Sequence, residues 1–219
     1  MTLGRKAGKK TAMTKVFVFD IGNVLSTFDS SALIRSFFSD PASQDQIHRI
    51  LFPELWNRYD QGLVSEDEMI ETAAALMPEK RIKIEQMMKS WARQLKVHQK
   101  NLELVRSIVQ DCYILSNLPE QAELELARQG LFDSIKDYAA SWRLKLVKPD
   151  PAIYQAFLDK NGLNAADCIF IDDHIENVEA ARHAGMQGIH LRSIDDLENV
   201  LVQNGAIFAS GSQPVISSQ

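Results

Sequence analysis

The sequence predicts an α/β protein: a doubly wound, parallel-sheet (Rossmann-like) core with an inserted all-helical cap. Three observations lead to this prediction. Short apolar runs end abruptly on polar residues, as strands buried in a parallel sheet do. Strand and helix patterns alternate from residue 113 onward, the order typical of doubly wound proteins. Residues 29–109 break that alternation and show helical patterns instead.

The predicted strands are three continuous apolar runs: VFVF (16–19), YIL (113–115) and CIFI (168–171). Polar side chains follow each run at once: Asp20, the pair Ser116-Asn117, and the pair Asp172-Asp173. In an open parallel sheet the carboxyl ends of the strands lie along one edge, where ligands bind. We therefore expect three distant segments to supply polar groups to one site.

Helices are predicted in the intervals between and after these strands. The first covers 118–130, has Pro119 in its first turn and would present Leu124, Ala127 and Leu131 to the core. The others cover 151–162, 176–184 and 195–205, and each stops at or beside a glycine. These helices complete the alternation expected of a doubly wound core.

The inserted segment, residues 29–109, is predicted to form the helical cap. Ser65 and Glu68 have the spacing of a capping box, and apolar residues recur at helical spacing over 84–95. The segment is too long for an ordinary crossover connection. This favours a module beside the sheet edge where the strands end over helices that only cover the core. The core is then 15–28 and 110–205. Loosely ordered tails are expected at 1–14 and 206–219, although Ile207, Phe208, Val215 and Ile216 could lie against the core.

Composition and charge argue against several classes of function. The formal net charge of -5 offers no basic field for nucleic-acid binding. No apolar stretch approaches the ~20 residues that span a bilayer, and the basic N-terminus, where Met13 is a candidate native start, lacks the apolar region of a secretory signal. Cys112 and Cys168 form neither a disulfide framework nor a metal-binding pattern. We expect a cytoplasmic monomer or homodimer without nucleic-acid or membrane partners.

Four ordered motifs resemble those of the haloacid dehalogenase-like hydrolases: Asp20 in FDIGNVL, Ser116 in ILSN, Lys148 in VKPD, and Asp172-Asp173 in FIDDHIEN. The resemblance extends from about residue 15 to residue 192. FDIGNVL and YDQGLVSEDEM (59–69) are similar to a bacterial branch that includes sugar-phosphate phosphatases, one of them acting on glucose 1-phosphate. The resemblance implies a Mg²⁺-dependent phosphomonoester hydrolase acting on a small phosphorylated metabolite, with sugar phosphates as the expected class.

The resemblance also implies roles for the acidic positions. Asp20 would be the nucleophile and form an aspartyl-phosphate that water then breaks. Asp20 and Asp173 would be direct carboxylate ligands of Mg²⁺, and Gly22 would lend its backbone carbonyl. Asp172 would lie in or just outside the first coordination shell. A carboxylate needs such a cation to approach a negatively charged phosphate.

The phosphate itself would be bound by Ser116, by Asn117 and the backbone N–H groups there, and by Lys148, which would also orient Asp20. Asn23 is a further candidate donor. Taken singly, Ser116-Asn117 could be a helix start, Lys148 a solvated loop lysine and the acidic pair a loop start. Their occurrence in order favours the catalytic interpretation.

Two positions depart from the family pattern. Gly22 stands two residues after Asp20, where the family's phosphatases usually carry a second Asp that protonates the leaving oxygen and later activates water. Such assistance contributes ~10² to 10⁴-fold, so we expect slow turnover or a preference for good leaving groups, such as the anomeric oxygen of a sugar 1-phosphate. Lys145 stands where relatives often have Gly, which predicts a less tightly turned loop before Lys148.

Two other functions are compatible with the sequence. A catalytically weak or inactive protein that binds phosphate or a partner would explain Gly22, although the retained Asp20 argues against it. A haloacid dehalogenase is less favoured, because Lys148 and the acidic pair suit a cation and phosphate better than a metal-free halide site. His174 is interpreted as a surface imidazole, and Trp56, Tyr59 and Trp91 as packing residues.

Overall fold

The computed structural model of the protein describes residues 15–209. The basic N-terminal arm and the tail residues Val215 and Ile216 lie outside the described residues. Between residues 15 and 209 no helix combines the length and the apolar character that crossing a membrane requires.

Within 15–209, seven strands form a five-stranded parallel sheet and a small antiparallel pair. They are β1 (Val16–Phe19), β2 (Ser26–Thr27), β3 (Lys96–Val97), β4 (Cys112–Ser116), β5 (Asp137–Ala140), β6 (Cys168–Asp172) and β7 (Gln187–His190). The large sheet has the order β5-β4-β1-β6-β7, with all neighbours parallel. The doubly wound α/β core is therefore confirmed, with β1 at the centre of the sheet.

The edge strands β5 and β7 were not predicted. Asp137 and Tyr138 in β5 are only partly buried, and Gln187 in β7 is exposed. Because an edge strand faces solvent along one side, neither sequence shows the continuous apolar run that identified the central strands.

Eleven α-helices surround or extend the sheet in the described part of the chain. They are α1 (Ser30–Phe37), α2 (Pro41–Leu51), α3 (Glu54–Asp60), α4 (Glu66–Leu76), α5 (Arg81–Met88), α6 (Gln99–Ser107), α7 (Glu120–Arg128), α8 (Ser141–Leu144), α9 (Pro151–Asn161), α10 (Ile175–His183) and α11 (Leu197–Gln203). The four predicted core helices correspond to α7, α9, α10 and α11. Helices α1–α5 are called the cap helices below.

Apolar clusters cover both faces of the sheet. Along β1, Phe17 and Phe19 belong to one cluster and Val16 and Val18 to the other, as the two-residue repeat of a strand requires. The second cluster includes residues of α9 and α10. The first includes residues of the cap helices, such as Met69, so the interior of the cap is continuous with that of the core.

The cap helices are attached to the core by two adjacent strands. β2, which precedes α1, pairs antiparallel with β3, so that Ser26 faces Val97 and Thr27 faces Lys96. The last helix of the 29–109 segment, α6, packs against α11. The segment predicted as cap therefore contains a short strand and, at its end, a helix that lies on the core.

The helix predicted through residues 84–95 ends earlier, at Met88. The Ser90 hydroxyl donates a hydrogen bond to the Met87 carbonyl oxygen at 3.0 Å and so competes with continuation of the helix. Trp91 begins a 3₁₀ turn, Trp91–Gln94, and Leu95 follows that turn. The capping box of Ser65 and Glu68 is confirmed, with both reciprocal hydrogen bonds formed.

The predicted inward face of α7 is partly wrong. Leu131 is buried, but Leu124 is 54% exposed and Ala127 is exposed as well. The inward face includes Glu123, whose carboxylate accepts hydrogen bonds from Trp142 and Arg143. A buried acid with partners distant in sequence interrupts the apolar stripe, which is why periodicity misassigned the face.

The chain after α11 lies against the core as far as residue 209. The backbone N–H of Val109 donates to the Ile207 carbonyl at 2.7 Å, and that of Ala209 donates to the Ser107 carbonyl at 2.8 Å. Phe208 packs against the first apolar cluster, whereas the Ile207 side chain is exposed. Residues 206–209 are thus paired with the core and not loose, which agrees with the expectation that Phe208 could lie against the core but not with the same expectation for the Ile207 side chain.

Candidate active site

The carboxyl ends of β1, β4 and β6 lie side by side and bring three polar segments together. Phe19 is in register with Ile114 of β4 and Ile171 of β6. Asp20 follows β1, whereas Ser116 and Asp172 are the last residues of β4 and β6, so all three lie at the same edge of the sheet. All three side chains line or border one cavity beneath the cap helices.

Three carboxylates form the centre of this site. Asp20, Asp172 and Asp173 each offer an oxygen within 4.8 Å of the others. Asp20 and Asp172 are buried, and Asp173 is partly buried. So many acidic groups in one place require compensating positive charge, because desolvated like charges repel strongly.

Lys148 supplies part of that charge. Its ammonium nitrogen lies 2.8 Å from Asp20 Oδ1 and 2.6 Å from Asp172 Oδ2, and its side chain is 1% exposed. Burial disfavours the ammonium charge, but the two carboxylates outweigh this and hold the pKa of Lys148 above its usual range. Lys148 is therefore a charged, buried member of the cluster and not a solvated loop residue.

Asp20 is the least satisfied carboxylate of the cluster. Its buried Oδ1 forms the ion pair with Lys148 at 2.8 Å but has no hydrogen bond of good geometry from any described residue. Burial raises the pKa of Asp20 to about 6; the Lys148 ammonium opposes that rise and Asp172 adds to it. The excess of three carboxylates over one ammonium, all offering oxygen ligands at one place, fits a hard divalent cation such as Mg²⁺.

Asp172 is held by donors on every side. It accepts hydrogen bonds from Lys148, from the backbone N–H of His174 at 2.8 Å and from the Asn177 amide at 3.1 Å. Its oxygens are thus already engaged, which supports a place beside a cation more than direct ligation. The role of Asn177 was not predicted, although its position in the first turn of α10, five residues after Asp172, indicates a side chain near that carboxylate. His174 itself is exposed, as expected.

The turn after Asp20 is made by Gly22 and Asn23. The left-handed backbone conformation falls on Asn23, with φ of 49°, and not on the glycine. The Asn23 amide donates to Asp173 Oδ2 at 3.0 Å, so in this structure it positions a carboxylate. A Cβ added at Gly22 would meet only Asp20 Oδ2, at 3.9 Å, so the position has room for a side chain.

Ser116 and Asn117 lie on the floor of the cavity. The Asn117 side chain bonds the backbone of Lys148 twice: its oxygen accepts from the Lys148 N–H at 2.7 Å and its nitrogen donates to the Lys148 carbonyl at 3.0 Å. The Asn117 side chain therefore fixes Lys148, and any phosphate contact by this residue would fall to its backbone.

The turn before Lys148 is tight although position 145 carries a lysine and not a glycine. Lys145 adopts the left-handed conformation, with φ of 57°, in which glycine is the usual residue. The prediction of a looser turn is therefore wrong. The Lys145 ammonium donates to the Gly62 carbonyl at 2.6 Å, and the Lys145 carbonyl accepts from the Gln61 amide at 2.8 Å. These contacts with the cap accompany the strained turn.

The cavity above the cluster has a volume of about 530 Å³ and a mixed wall. Its cap side is formed by Phe28, Trp56, Asn57 and Asp60. The rings of Phe28 and Trp56 are stacked with centroids 6.2 Å apart, and Trp56 also packs on Trp91. Trp56 thus both packs and faces the cavity, whereas Tyr59 and Trp91 are buried. A larger groove of about 770 Å³ on the cap helices contains none of the acidic cluster.

Asp60 is a buried acid that was not predicted to belong to the site. Burial raises its pKa to about 8, with the charge of Asp20 adding to the rise and Lys148 opposing it. Asp60 is the second residue of the YDQGLVSEDEM segment, but an aspartate at the end of a helix is predicted to be a surface residue from sequence alone.

Comparisons with known proteins agree with this geometry. The family model described as haloacid dehalogenase-like hydrolase matches residues 14–185. The chain is 25% identical over 218 residues to the drimenol cyclase of Aspergillus calidoustus, covering 92% of this chain and 38% of that protein. It is 26% identical over 184 residues to a sesquiterpene phosphatase of Aspergillus oryzae, covering 81% of this chain and 89% of that protein. The chain thus spans well under half of the cyclase but most of the phosphatase.

A solved structure shows the same fold. It is a haloacid dehalogenase family enzyme from Bacteroides thetaiotaomicron in complex with magnesium and inorganic phosphate. The TM-score is 0.71 at 20% sequence identity, over 85% of this chain and 98% of that one. At this identity the likeness concerns the fold.

Proposed function

This chain belongs to the haloacid dehalogenase-like hydrolases, and within that family we propose that it is a Mg²⁺-dependent phosphomonoester hydrolase acting on a small phosphorylated metabolite. The observation that carries the proposal is the cluster of Asp20, Asp172, Asp173 and Lys148 on the floor of the cavity. A buried nucleophilic carboxylate beside a fixed ammonium and a cation-binding set of oxygens suits transfer of a phosphoryl group.

Asp20 acts as the nucleophile in this proposal. One of its oxygens attacks phosphorus, the bond to the organic oxygen breaks, and an aspartyl-phosphate forms. Water then attacks that phosphorus and releases phosphate and free Asp20. Lys148, 2.8 Å from Asp20 Oδ1, favours the ionised carboxylate and orients it.

Asp20, Asp173 and the backbone carbonyl of Gly22 would hold Mg²⁺. When bound, the ion neutralises the negative charge that would otherwise repel a phosphate. Asn23 supports this role by fixing Asp173, and Asn177 supports it by fixing Asp172 beside the ion. The excess of carboxylates over cationic side chains in the cluster is the physical reason for requiring a metal.

The transferred phosphate would be held by the Ser116 hydroxyl, the backbone N–H of Asn117 and the Lys148 ammonium. Ser116 and Lys148 both line the cavity floor, next to Asp20. Donors directed at the phosphate oxygens stabilise the charge that develops during transfer. The Asn117 side chain serves indirectly, by holding the backbone of Lys148.

The leaving group would occupy the cap side of the cavity. A volume of about 530 Å³ suits a small organic group beside the phosphate. For a sugar phosphate, Asn57 offers polar contacts and the Trp56 ring offers a surface for the apolar face of a sugar. The stacked Phe28 and Trp56 rings also favour a second candidate, an ester with a planar or prenyl group. The relative named as a sesquiterpene phosphatase supports including that class.

The test is phosphate release from a panel of esters by the purified protein with Mg²⁺. The panel contains glucose 1-phosphate, glucose 6-phosphate, flavin mononucleotide and farnesyl phosphate, and Asp20→Asn is the matched inactive control. We expect Mg²⁺-dependent release from at least one ester, abolished in the control.

Two results would contradict the proposal. Calorimetric binding of an ester without turnover above the Asp20→Asn control would favour a phosphate-binding protein that has lost catalysis. Chloride release from 2-chloropropionate without Mg²⁺ would favour a haloacid dehalogenase.

A further inference from the structure

The proposed function leaves one proton without a donor. When the phosphorus–oxygen bond breaks, the leaving oxygen needs a proton unless it is already a stable anion. Gly22 has no side chain to supply one. We propose that Asp60, at the end of α3, is the catalytic acid that protonates the leaving oxygen and then accepts a proton from the attacking water. This inference rests on the proposed phosphomonoester hydrolysis.

Asp60 lies where such an acid is needed. Its side chain lines the same cavity as Asp20, Ser116 and Lys148, on the cap side where the leaving group would lie. The residue is 9% exposed, yet no group within residues 15–209 forms a hydrogen bond or ion pair with its carboxyl. Its carboxyl oxygens are not among the fully covered atoms that lack a partner, so they reach the space of the cavity. The Asp60 carboxyl is therefore available to a molecule in the cavity.

The surroundings of Asp60 favour the protonated carboxyl. Burial is the largest cause of its raised pKa. The charge of Asp20 adds to the rise, and the charge of Lys148 opposes it. Asp60 is also the last residue of α3, where the negative end of the helix disfavours a carboxylate. A cation bound near Asp20 would offset the charge of Asp20, but burial and the helix end act independently of that cation.

Four consecutive residues, 59–62, hold Asp60 against the core. The contacts are Tyr59 hydroxyl to Gln121 Oε1 at 2.7 Å, Ser141 hydroxyl to the Asp60 carbonyl oxygen, Gln61 amide to the Lys145 carbonyl oxygen at 2.8 Å, and Lys145 ammonium to the Gly62 carbonyl oxygen at 2.6 Å. We call these contacts the 59–62 clamp. A catalytic group must be held in place, because small displacements cost large factors in rate. The clamp provides that positioning from the cap side.

The proton balance of the two steps is complete with Asp60. In the first step, Asp20 forms its bond to phosphorus, the ester oxygen departs, and the Asp60 proton passes to that oxygen to give a neutral alcohol. In the second step, water bonds to phosphorus and loses a proton to the Asp60 carboxylate, while the bond between phosphorus and Asp20 breaks. Phosphate leaves, and both carboxyl groups return to their starting states.

A series of substituted phenyl phosphates separates proton donation from binding. The esters share one ring size, but 4-nitrophenolate leaves as a stable anion whereas phenolate requires more assistance. For Asp60→Asn we expect kcat/KM to fall ~10² to 10⁴-fold with phenyl phosphate, the range of general acid assistance. With 4-nitrophenyl phosphate we expect a loss below about tenfold, which also shows that the variant is folded.

Asn57→Ala is the matched control, because Asn57 lines the same wall but carries no acidic proton. It should change kcat/KM by one common factor across the series. If the wild type releases phosphate neither from these esters nor from the panel above, the proposed function fails. If the wild type hydrolyses them and Asp60→Asn loses the same factor on every ester, the acid role of Asp60 is overturned.

Discussion

At the scale of single residues, a carboxyl group introduced at position 22 could supply the proton that we assign to Asp60. A Cβ at Gly22 would meet only Asp20 Oδ2, at 3.9 Å, and the backbone there is not left-handed, so a side chain can be added. We expect Gly22→Asp, introduced into Asp60→Asn, to restore phenyl phosphate turnover by at least about tenfold, since an acid contributes ~10² or more.

The measurement is kcat/KM over the same phenyl phosphate series, with Gly22→Asn in the Asp60→Asn background as control. The amide has the shape of the acid but no acidic proton. Equal recovery with Asp and Asn at position 22 would show that the added side chain positions the ester and does not transfer a proton.

Asp60 also makes stability depend on pH. Its pKa rises from an ordinary value of 3.8 to about 8 in the folded protein. Between those values the Asp60 carboxyl binds more protons in the folded protein than in the unfolded chain, so its contribution to the free energy of unfolding decreases as the pH rises from about 4 to about 8. The loss is complete above the folded pKa.

The neutral isostere Asp60→Asn should remove this dependence. We expect its Tm to exceed that of the wild type by on the order of a few °C at pH 8.5 and to differ little at pH 4. Thermal unfolding with EDTA present measures the difference without bound metal. A variant less stable than the wild type at pH 8.5 would contradict the unfavourable burial of ionised Asp60.

Residue patterns predicted the floor of the cavity better than its cap side. Asp20, Ser116 and Asp172 each end an apolar run, and the geometry of a parallel sheet then brings them together. Asp60 and Phe28 lie in or beside amphipathic helices, where a polar residue or a ring looks the same whether it faces solvent, the core or a ligand. Only the tertiary arrangement distinguishes these possibilities.

At the scale of elements, the turn at Lys145 joins the cap helices to the core. Lys145→Met keeps most of the side-chain length but removes the ammonium that donates to the Gly62 carbonyl. Because the clamp positions Asp60, we expect kcat/KM for phenyl phosphate to fall several-fold. The stability change should be below about 1 kcal/mol, since exposed polar contacts contribute little.

Lys145→Gly is the matched control for this turn. It also removes the ammonium, but it relieves the left-handed backbone strain, worth about 1 kcal/mol. Both variants should therefore lose activity to a similar extent, while denaturant unfolding shows the glycine variant to be the more stable. Activity that follows stability across the two variants would contradict a positioning role for the clamp.

Elements were predictable where one local pattern dominated. The central strands and the helices at Pro151–Asn161 and Ile175–His183 follow from apolar runs, a proline start and glycine stops. The edge strand Asp137–Ala140 is only half buried, and the buried Glu123 of α7 is satisfied by Trp142 and Arg143. Both depend on partners remote in sequence, which local periodicity does not contain.

At the scale of the whole molecule, the order of elements was enough to predict a parallel core, because helices between strands impose crossover connections. The relation of the cap helices to that core was not predictable. Their apolar residues join the cluster on one face of the sheet, and the chain enters and leaves them through the β2–β3 pair. An amphipathic stripe does not specify which surface it will cover.

The folded molecule as a whole should be stabilised by Mg²⁺. The three carboxylates come from two distant segments and meet only in the folded state, so a cation binds the folded protein in preference to the unfolded chain. At a free ion concentration of about 100 times Kd, this linkage contributes ~2.7 kcal/mol, or roughly 5–10 °C in Tm for a chain of this size. Thermal unfolding in MgCl₂ against EDTA at equal ionic strength measures the shift. Asp173→Asn should abolish most of this shift. Asp45 is an exposed acid on α2, so Asp45→Asn should leave the shift intact. Equal shifts in these two variants would mean that the ion acts on surface charge and not on the cluster.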